Sequence, residues 1–221
     1  MHSRKFFSEE LGRLRHDILT MATKVEENLG KALAALRTSN ADLAKEARAA
    51  DAEVDALQLK IEDDAAIIIA TQQPVARDLR ELVTIFKLTN NIERAGDHAV
   101  HLAKAAKKLA KKGDSPFRSQ ERLEKMAETG RVMIRASISA YMAQDADAAR
   151  EAAAMDNKID AEHKALTEEI LKLMKKKTDL VKSALQILHT SNQLERLGDH
   201  LTNICEAVIY MVEGRHEELN E

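Results

Sequence analysis

Cysteine, proline and glycine are scarce in this sequence, and tryptophan is absent. The single Cys205 excludes an intrachain disulfide and any zinc site that needs several cysteines, and it is typical of a reducing compartment. Only two prolines and seven glycines interrupt the 221 residues, and aromatic residues make up 3%. Because Ala, Leu, Lys and Glu dominate what remains, we expect an all-α fold with almost no strand.

Features of membrane-spanning and nucleic-acid-binding proteins are also missing. The longest apolar run, AAIIIA at residues 65–70, is far too short to cross a bilayer, and the N-terminal stretch lacks the apolar region of a signal peptide. The net charge is −3, and the 32% of charged residues have interleaved signs, which describes a solvated surface. We therefore expect a cytoplasmic protein that binds no nucleic acid and that makes at most peripheral contact with a membrane.

Two short motifs each occur twice in the sequence. NNIERAGDH at residues 90–98 and SNQLERLGDH at residues 191–200 share Asn, Glu, Arg, Gly, Asp and His at a shift of 102 residues, from 90 to 192. DAEVD at residues 51–55 returns as DNKID at residues 156–160, at a shift of 105 residues, from 51 to 156. The chain therefore contains an internal repeat, with one copy in each half.

Helix breakers divide the chain into six segments with apolar residues at three- and four-residue spacing. The breakers lie near residues 38–42, 72–78, 111–116, 144–147 and 175–179. Since long helices joined by short connections pack antiparallel, the sequence predicts two tandem, pseudo-symmetric antiparallel three-helix bundles with six long helices. The first bundle is predicted in residues 1–113 and the second in residues 114–221. Predicted helix caps are Asp114 or Ser115, and Thr178 or Asp179.

Apolar periodicity also predicts which face of the third and sixth helices is buried. Both helices carry the same seam at three- and four-residue steps, so we expect both to pack along one face. The predicted seam residues are Ile85, Leu88, Ile92, Ala95, Ala99 and Leu102 in the third helix, and Ile187, Leu194, Leu197, Leu201, Ile204 and Val208 in the sixth.

An acidic pair with four-residue spacing borders each seam, and a matching pair occurs in the second and fifth helices. Residues four apart share one face of a helix. If these faces pack against each other, the four carboxylates of each half converge. The predicted clusters are Asp51, Asp55, Glu93 and Asp97 in the first half, and Asp156, Asp160, Glu195 and Asp199 in the second.

Four carboxylates near a low-dielectric core repel one another unless they are protonated or bridged by a cation. Oxygen ligands suit Mg²⁺ and Mn²⁺, while nearby His101, Asn91 or Asn203 would admit iron or zinc. Glycine at positions 96 and 198 makes the helix less stable by about 1 kcal/mol at each position relative to alanine. Its presence therefore indicates that a neighbouring helix or an ion approaches the backbone closely. The sequence therefore predicts a divalent-metal site in each half.

Two other interpretations of the acidic residues stay open. In one, they are solvated or paired with residues such as Arg94 and Lys104, and the protein is a metal-free helical scaffold. In the other, the bundle is a metalloenzyme, either a di-iron oxidase or a phosphohydrolase. Di-iron bundles use two Glu-x-x-His motifs, whereas this chain offers only Glu213 with His216, and neither a phosphate loop nor a nucleophile with its base is evident. We therefore expect a protein that is not an enzyme.

Two further features predict structural roles. His98 and His200 lie one residue past the acidic stripe, which favours hydrogen bonding within the fold over metal ligation. Cys205 lies on an apolar stretch, which favours a buried small side chain over a nucleophile.

The doubled layout, with IERAGDH at residues 92–98 and LERLGDH at residues 194–200, resembles the PhoU family of phosphate-specific transport accessory proteins. The likeness covers essentially the whole chain, including FSEELGRLRHDILTMA at residues 7–22 and QQPVARDLREL at residues 72–82. The resemblance implies a cytoplasmic homodimer that binds the ATPase subunit of the phosphate ABC transporter and the phosphate-sensing histidine kinase. Such a protein is a negative regulator, because it keeps the phosphate-starvation response off when phosphate is plentiful.

The resemblance also implies metal clusters on paired acidic motifs, which map here onto the eight clustered carboxylates. Asp78 resembles a further functional acidic position of the family, although Asp179 falls one residue out of register with it at the 102-residue shift. His101 in the first half stands where Asn203 stands in the second, so the two clusters are expected to differ in metal or occupancy. Asp78, His101 and Asn203 are therefore candidate additional ligands or partner contacts.

Overall fold

The computed structural model describes residues 2–38, 40–110, 119–175 and 180–220, and most of these residues are helical. These residues form eight helices and no strand. None of the helices in this described part is long and apolar enough to cross a membrane. The helices are α1 His2–Thr38, α2 Ala41–Ala49, α3 Asp51–Gln72, α4 Ala76–Ala110, α5 Ser119–Ala143, α6 Ala146–Ala153, α7 Asp156–Met174 and α8 Val181–Glu213.

The six predicted long helices are present as α1, α3, α4, α5, α7 and α8, which confirms the predicted fold class. Two short helices, α2 and α6, were missed because we predicted that each would continue into the next helix. At each junction a backbone hydrogen bond joins residues three apart, as in a turn. These bonds run from Glu53 N to Ala50 O (3.3 Å) and from Lys158 N to Met155 O (3.0 Å). Alanines flank both breaks. Because alanine is the strongest helix former, the local sequence does not indicate that a helix ends there.

A side-chain cap starts each short helix. Asn40 Oδ1 accepts hydrogen bonds from the backbone N–H groups of Asp42 (2.9 Å) and Leu43 (3.3 Å). Asp145, which is the repeat counterpart of Asn40, caps α6 in the same way. The repeat therefore includes the caps that set the direction of α2 and α6. The predicted caps at residues 114–115 and 178–179, and the predicted boundary at residues 113–114, lie outside the described residues.

The two halves share one continuous core. Helix α4 packs against both α1 and α8, and α5 completes a central group of four helices, with α3 and α7 on the outside. Asn91 and His98 on α4 are hydrogen-bonded to His200 and Gln193 on α8, respectively. Residue numbers therefore rise along one helix as they fall along the other, so α4 and α8 are antiparallel. All twelve predicted seam residues are buried, which confirms the predicted core faces of α4 and α8.

Ion pairs join α1 to α5, the first helices of the two halves, and also join α1 to α4. Glu26 on α1 accepts hydrogen bonds from Arg131 (2.7 Å) and Arg135 (2.8 Å) on α5. Arg15 on α1 donates two hydrogen bonds to Glu81, a residue of α4 with only 3% exposure, at 2.6 and 2.8 Å. A bidentate pair of this kind holds a buried carboxylate in one position, so it fixes α1 relative to α4.

We predict that Asn40→Ala and Asp145→Ala each lower the free energy of unfolding by about 1 kcal/mol, because each removes the acceptor of two backbone N–H groups. Urea denaturation followed by circular dichroism measures the change. Asp63→Ala, at an exposed position inside α3, is the control and should stay within about 0.5 kcal/mol of the parent. Parent-like stability of both cap variants would contradict the assigned capping.

Candidate functional site

The acidic residues of each half come from the start of an outer helix and the middle of a central helix. Asp51 is the first residue of α3 and Asp156 is the first residue of α7, where the helix dipole favours negative charge. The positions of both residues therefore depend on the breaks between α2 and α3 and between α6 and α7, which the sequence did not indicate. Asp55 and Asp160 follow one turn later and are exposed to solvent.

The structure brings the four predicted carboxylates of the first half together. Burial raises the pKa of Asp51, and the negative charges of Asp55 and Asp97 raise it further, while Lys104 opposes the shift. Burial and the charge of Asp97 likewise raise the pKa of Glu93, with smaller effects from the charges of Asp55 and Asp51. Carboxylates of α3 and α4 therefore influence one another's pKa values, and their action as one site stays a prediction.

The second half gathers its four carboxylates in the same way but buries one of them much more deeply. Asp156 is 7% exposed. Burial first, and then the charge of Asp160, raise its pKa to about 7, with further contributions from Asp199 and Glu195. Burial also raises the pKa values of Glu195 and Asp199. Near neutral pH, this cluster therefore holds a proton unless a cation replaces it.

Only one of the two oxygens of the Asp156 carboxylate has a hydrogen-bond partner among the described residues. Its Oδ2 accepts a hydrogen bond from Thr202 Oγ1 at 3.2 Å. Its Oδ1 is buried and finds no hydrogen-bond partner among the described residues. A buried carboxylate oxygen without a partner is energetically unfavourable, and a bound cation would remove that penalty.

A pocket of about 730 Å³ opens beside this carboxylate. The four carboxylates of the second cluster line it together with Arg150 and His163, and Leu219 and Asn220 from the C-terminal segment close one side. Arg150 is itself occupied, because it donates to Glu213 (2.9 Å) and Glu217 (2.8 Å). Arg150 and the C-terminal segment were not predicted as part of the site, since contacts between remote segments leave no local pattern in the sequence.

The donor chemistry of both clusters suits a hard divalent cation, because every carboxylate oxygen is a hard ligand. Among the described residues, however, no group of three or more His, Cys, Asp or Glu side chains is arranged to hold a metal ion as it stands. Binding would therefore require the carboxylates to turn toward a common point. The unpaired Asp156 Oδ1 supports such a site, and the metal role of the eight carboxylates stays a prediction.

The three additional candidates lie in different surroundings. Asp78 precedes Glu93 by 15 residues on α4, which places it about 22 Å away along the helix, so it is not a ligand of the first cluster. Asn203 donates to Asn91 of the other half at 3.4 Å and is engaged in the contact between α4 and α8. His101 borders Asp97, whose charge opposes the lowering of its pKa by burial, and stays a candidate.

His98 and His200 connect the two halves through equivalent hydrogen bonds. His98 Nδ1 donates to Gln193 Oε1 at 2.9 Å and His200 Nδ1 donates to Asn91 Oδ1 at 3.0 Å, since an amide oxygen can only accept. The rings stack at 5.4 Å. Burial lowers the pKa of both imidazoles, that of His200 to about 4, so both are neutral near pH 7. This confirms the predicted hydrogen-bonded role.

Cys205 and the C-terminal Glu-x-x-His motif are both engaged within the fold. Cys205 is fully buried, and burial raises its pKa to about 12, which confirms a packing role. The residues of the di-iron alternative are engaged elsewhere: Glu213 pairs with Arg150 and Arg215, and the His216 ring stacks on Tyr210 at 4.3 Å.

The chain is similar to known proteins over nearly its whole length. The sequence model of the PhoU domain matches residues 18–106 and 123–208. The phosphate-specific transport system accessory protein PhoU homolog of Clostridium acetobutylicum is 33% identical over 220 residues, which cover 99% of this chain and 100% of that protein. The phosphate-specific transport system accessory protein PhoU of Escherichia coli is 30% identical, with 95% of this chain and 86% of that protein covered.

Solved structures show the same architecture. The crystal structure of PhoU from Pseudomonas aeruginosa superimposes with a TM-score of 0.90 at 32% identity, covering 95% of this chain and 100% of that chain. The structure of the phosphate transport system regulatory protein PhoU from Streptococcus pneumoniae superimposes with a TM-score of 0.87 at 30% identity, covering 96% and 99%.

We predict that ionisation of Asp156 makes the metal-free protein less stable as the pH rises from about 4 to about 8, whereas the lowered pKa values of His98 and His200 act in the opposite direction below about pH 6.5. In the unfolded chain the Asp156 carboxyl ionises near pH 4, whereas in the folded protein it keeps its proton up to about pH 7. At Asp156 the folded state therefore binds more protons in this range, and the contribution of this residue to the free energy of unfolding decreases with pH by up to about 4 kcal/mol. Asp156→Asn should remove most of this decrease.

Urea denaturation at several pH values in the presence of a chelator measures the effect. Asp63→Asn, an exposed substitution on the same kind of helix, is the control and should keep the parental pH dependence. An unchanged pH dependence in Asp156→Asn would show that this carboxyl does not retain a proton in the folded protein.

Proposed function

Because the chain belongs to the PhoU family, we propose that it is an accessory protein of a phosphate-specific transport system. Relatives that bear this name match 99% and 95% of the chain, so the proposal concerns the whole molecule and not one half. The same names describe accessory proteins and not enzymes, which favours a regulatory role over catalysis.

In this proposal the protein is a cytoplasmic adaptor and a homodimer. It binds the ATPase subunit of the phosphate ABC transporter and the phosphate-sensing histidine kinase, and it represses the phosphate-starvation response and phosphate uptake when phosphate is abundant. The family resemblance supports these partners and this sign of regulation. Its membrane contact is indirect, through the transporter and the kinase.

The proposal assigns divalent metal ions, Mg²⁺, Mn²⁺, iron or zinc, to the two acidic clusters. The observation that carries this assignment is the buried Asp156 carboxylate, which has one unpaired oxygen and three further carboxylates beside it. A bound cation would offset the repulsion that raises their pKa values. It would also connect α7 to α8, and α3 to α4 in the first half, so metal binding would stabilise the packing of the outer helices.

Metal analysis tests the cation assignment. We expect divalent metal in stoichiometric amounts in untagged protein after dialysis against Mg²⁺, Mn²⁺, Fe²⁺ and Zn²⁺, measured by inductively coupled plasma mass spectrometry. A variant with Glu93, Asp97, Glu195 and Asp199 changed to alanine should retain none, because each cluster loses two of its four ligands. Asp42→Ala combined with Asp63→Ala removes two acids outside the clusters and should bind as the parent does.

The opposite result is equally clear. If neither parent nor variant retains metal, and the variant is at least as stable as the parent, the acidic residues are solvating charges on a metal-free scaffold.

Binding measurements test the adaptor role. We expect the purified transporter ATPase subunit and the sensor kinase each to bind the protein in surface plasmon resonance, with affinities that change on addition of a chelator. Absence of binding to both partners, with and without metal, would refute the adaptor proposal while leaving the metal assignment intact.

A further inference from the structure

We propose that residues 214–220, which follow α8, form a displaceable strap over a peptide-binding groove between α6 and α8, and that an extended acidic segment of a partner protein binds there by replacing the strap. These seven residues are the longest stretch outside a helix in the described part of the chain. The inference rests on the proposed adaptor role and deepens it, because it names a surface for a partner and the segment that covers it.

A single carboxylate of the strap makes its strongest contact. Glu217 accepts two hydrogen bonds from the guanidinium of Arg150 on α6, from Nε at 3.1 Å and from Nη2 at 2.8 Å. Arg150 also donates to Asp147 on α6 and Glu213 on α8, both at 2.9 Å, and these bonds hold its side chain in place. A guanidinium fixed in this way is prepared for bidentate recognition of a carboxylate.

The other contacts of the strap use a backbone group, an aliphatic side chain and a ring. The backbone N–H of Leu219 donates to Glu206 Oε1 on α8 at 2.8 Å, and the Leu219 side chain packs against the core. The His216 ring stacks on Tyr210 at 4.3 Å. An extended peptide from another protein carries the same groups, and none of these contacts requires a covalent link to α8. The strap therefore shows what chemistry the groove accepts.

The start of the strap allows it to leave without disturbing α8. Gly214 has a φ of 74°, which glycine adopts without strain, and its N–H donates to Tyr210 O at 2.9 Å, so the helix is closed before the strap begins. Within the strap His216 is exposed, and Glu217 and Leu219 are only partly buried. A non-helical segment with so few buried contacts opens more easily than the helical core.

The first half has no equivalent groove on its short helix. At the 105-residue shift the counterpart of Arg150 is Lys45 on α2, which is exposed. Lysine lacks the planar fork that takes a carboxylate in bidentate fashion. The proposed peptide site therefore belongs to the second half alone.

Displacement of the strap would also change the acidic pocket. Leu219 and Asn220 line the pocket of about 730 Å³ on one side. Because a partner segment would move both residues away, its binding would widen the access of solvent to this pocket.

A synthetic peptide tests the inference on the full chain. The probe is GRHEELN, the sequence of residues 214–220, and its binding to ¹⁵N-labelled protein is followed by chemical-shift changes in nuclear magnetic resonance spectra. In the variant with Glu217→Ala and Leu219→Ala the strap loses two of its contacts. We therefore expect this opened variant to bind the peptide about fivefold more tightly than the parent does. Glu218→Ala, which removes an exposed neighbouring carboxylate, is the control and should bind as the parent does.

Altered peptides and a third substitution establish which contact is recognised. The peptide carrying Glu217→Ala should bind the opened variant about fivefold more weakly than GRHEELN, whereas the peptide carrying Glu218→Ala should keep its affinity. Adding Arg150→Ala to the opened variant should abolish the gain. Circular dichroism shows which variants are folded, and Glu217→Ala alone replaces the opened variant if the double substitution prevents folding.

The possible results separate cleanly. Tighter binding by the opened variant, with discrimination between the two altered peptides, supports the inference. Absence of binding by a folded opened variant, or equal binding of both altered peptides, would overturn it. If sedimentation equilibrium shows that the opened variant alone changes its state of association, the strap of a second copy occupies the groove, which also overturns the assignment to a partner protein. Because no result depends on the transporter or the kinase, the adaptor role is tested separately.

Discussion

The antiparallel packing of α4 against α8 is the interaction on which the rest of the structure depends. It buries the apolar seams of both helices and joins the two halves in one core. Apolar packing alone leaves the register of two long helices weakly defined, but buried polar groups require partners. The bonds of His98 to Gln193 and of His200 to Asn91 meet this requirement in one register. The neutral imidazoles therefore hold the repeats together, and α4 and α8 direct their acidic stripes outward, toward α3 and α7.

The acidic clusters follow from this arrangement. Each lies where an outer helix begins against a central helix, so carboxylates are half buried and close together. The dipole at the start of α3 or α7 offsets part of the repulsion, and nearby basic residues offset more. The remaining repulsion is visible in the raised pKa values of Asp51, Glu93, Asp156, Glu195 and Asp199. A bound cation would offset this repulsion, as the proposed function assumes.

The two halves share a fold but have diverged in detail. In the second half Thr202 donates a hydrogen bond to the buried Asp156 carboxylate, which lies against Gly198. In the first half Asp51 is only partly buried, and Lys104 opposes the rise of its pKa. The repeat therefore presents two acidic surfaces that differ in burial and in charge environment.

The sequence by itself determined the helical class, the six long helices, the buried seams of α4 and α8, and the grouping of the acids into two sets. These features follow from local periodicity and from repetition, which a single sequence displays directly. The tertiary structure alone decided where α2 and α6 end, that Asp78 lies about 22 Å from Glu93, and that Asn203 faces the other half. It also decided that Asp156 is buried while Asp51 is only partly so. Burial, distance and charge environment depend on which remote helices meet, and those contacts arise only when the whole chain has folded.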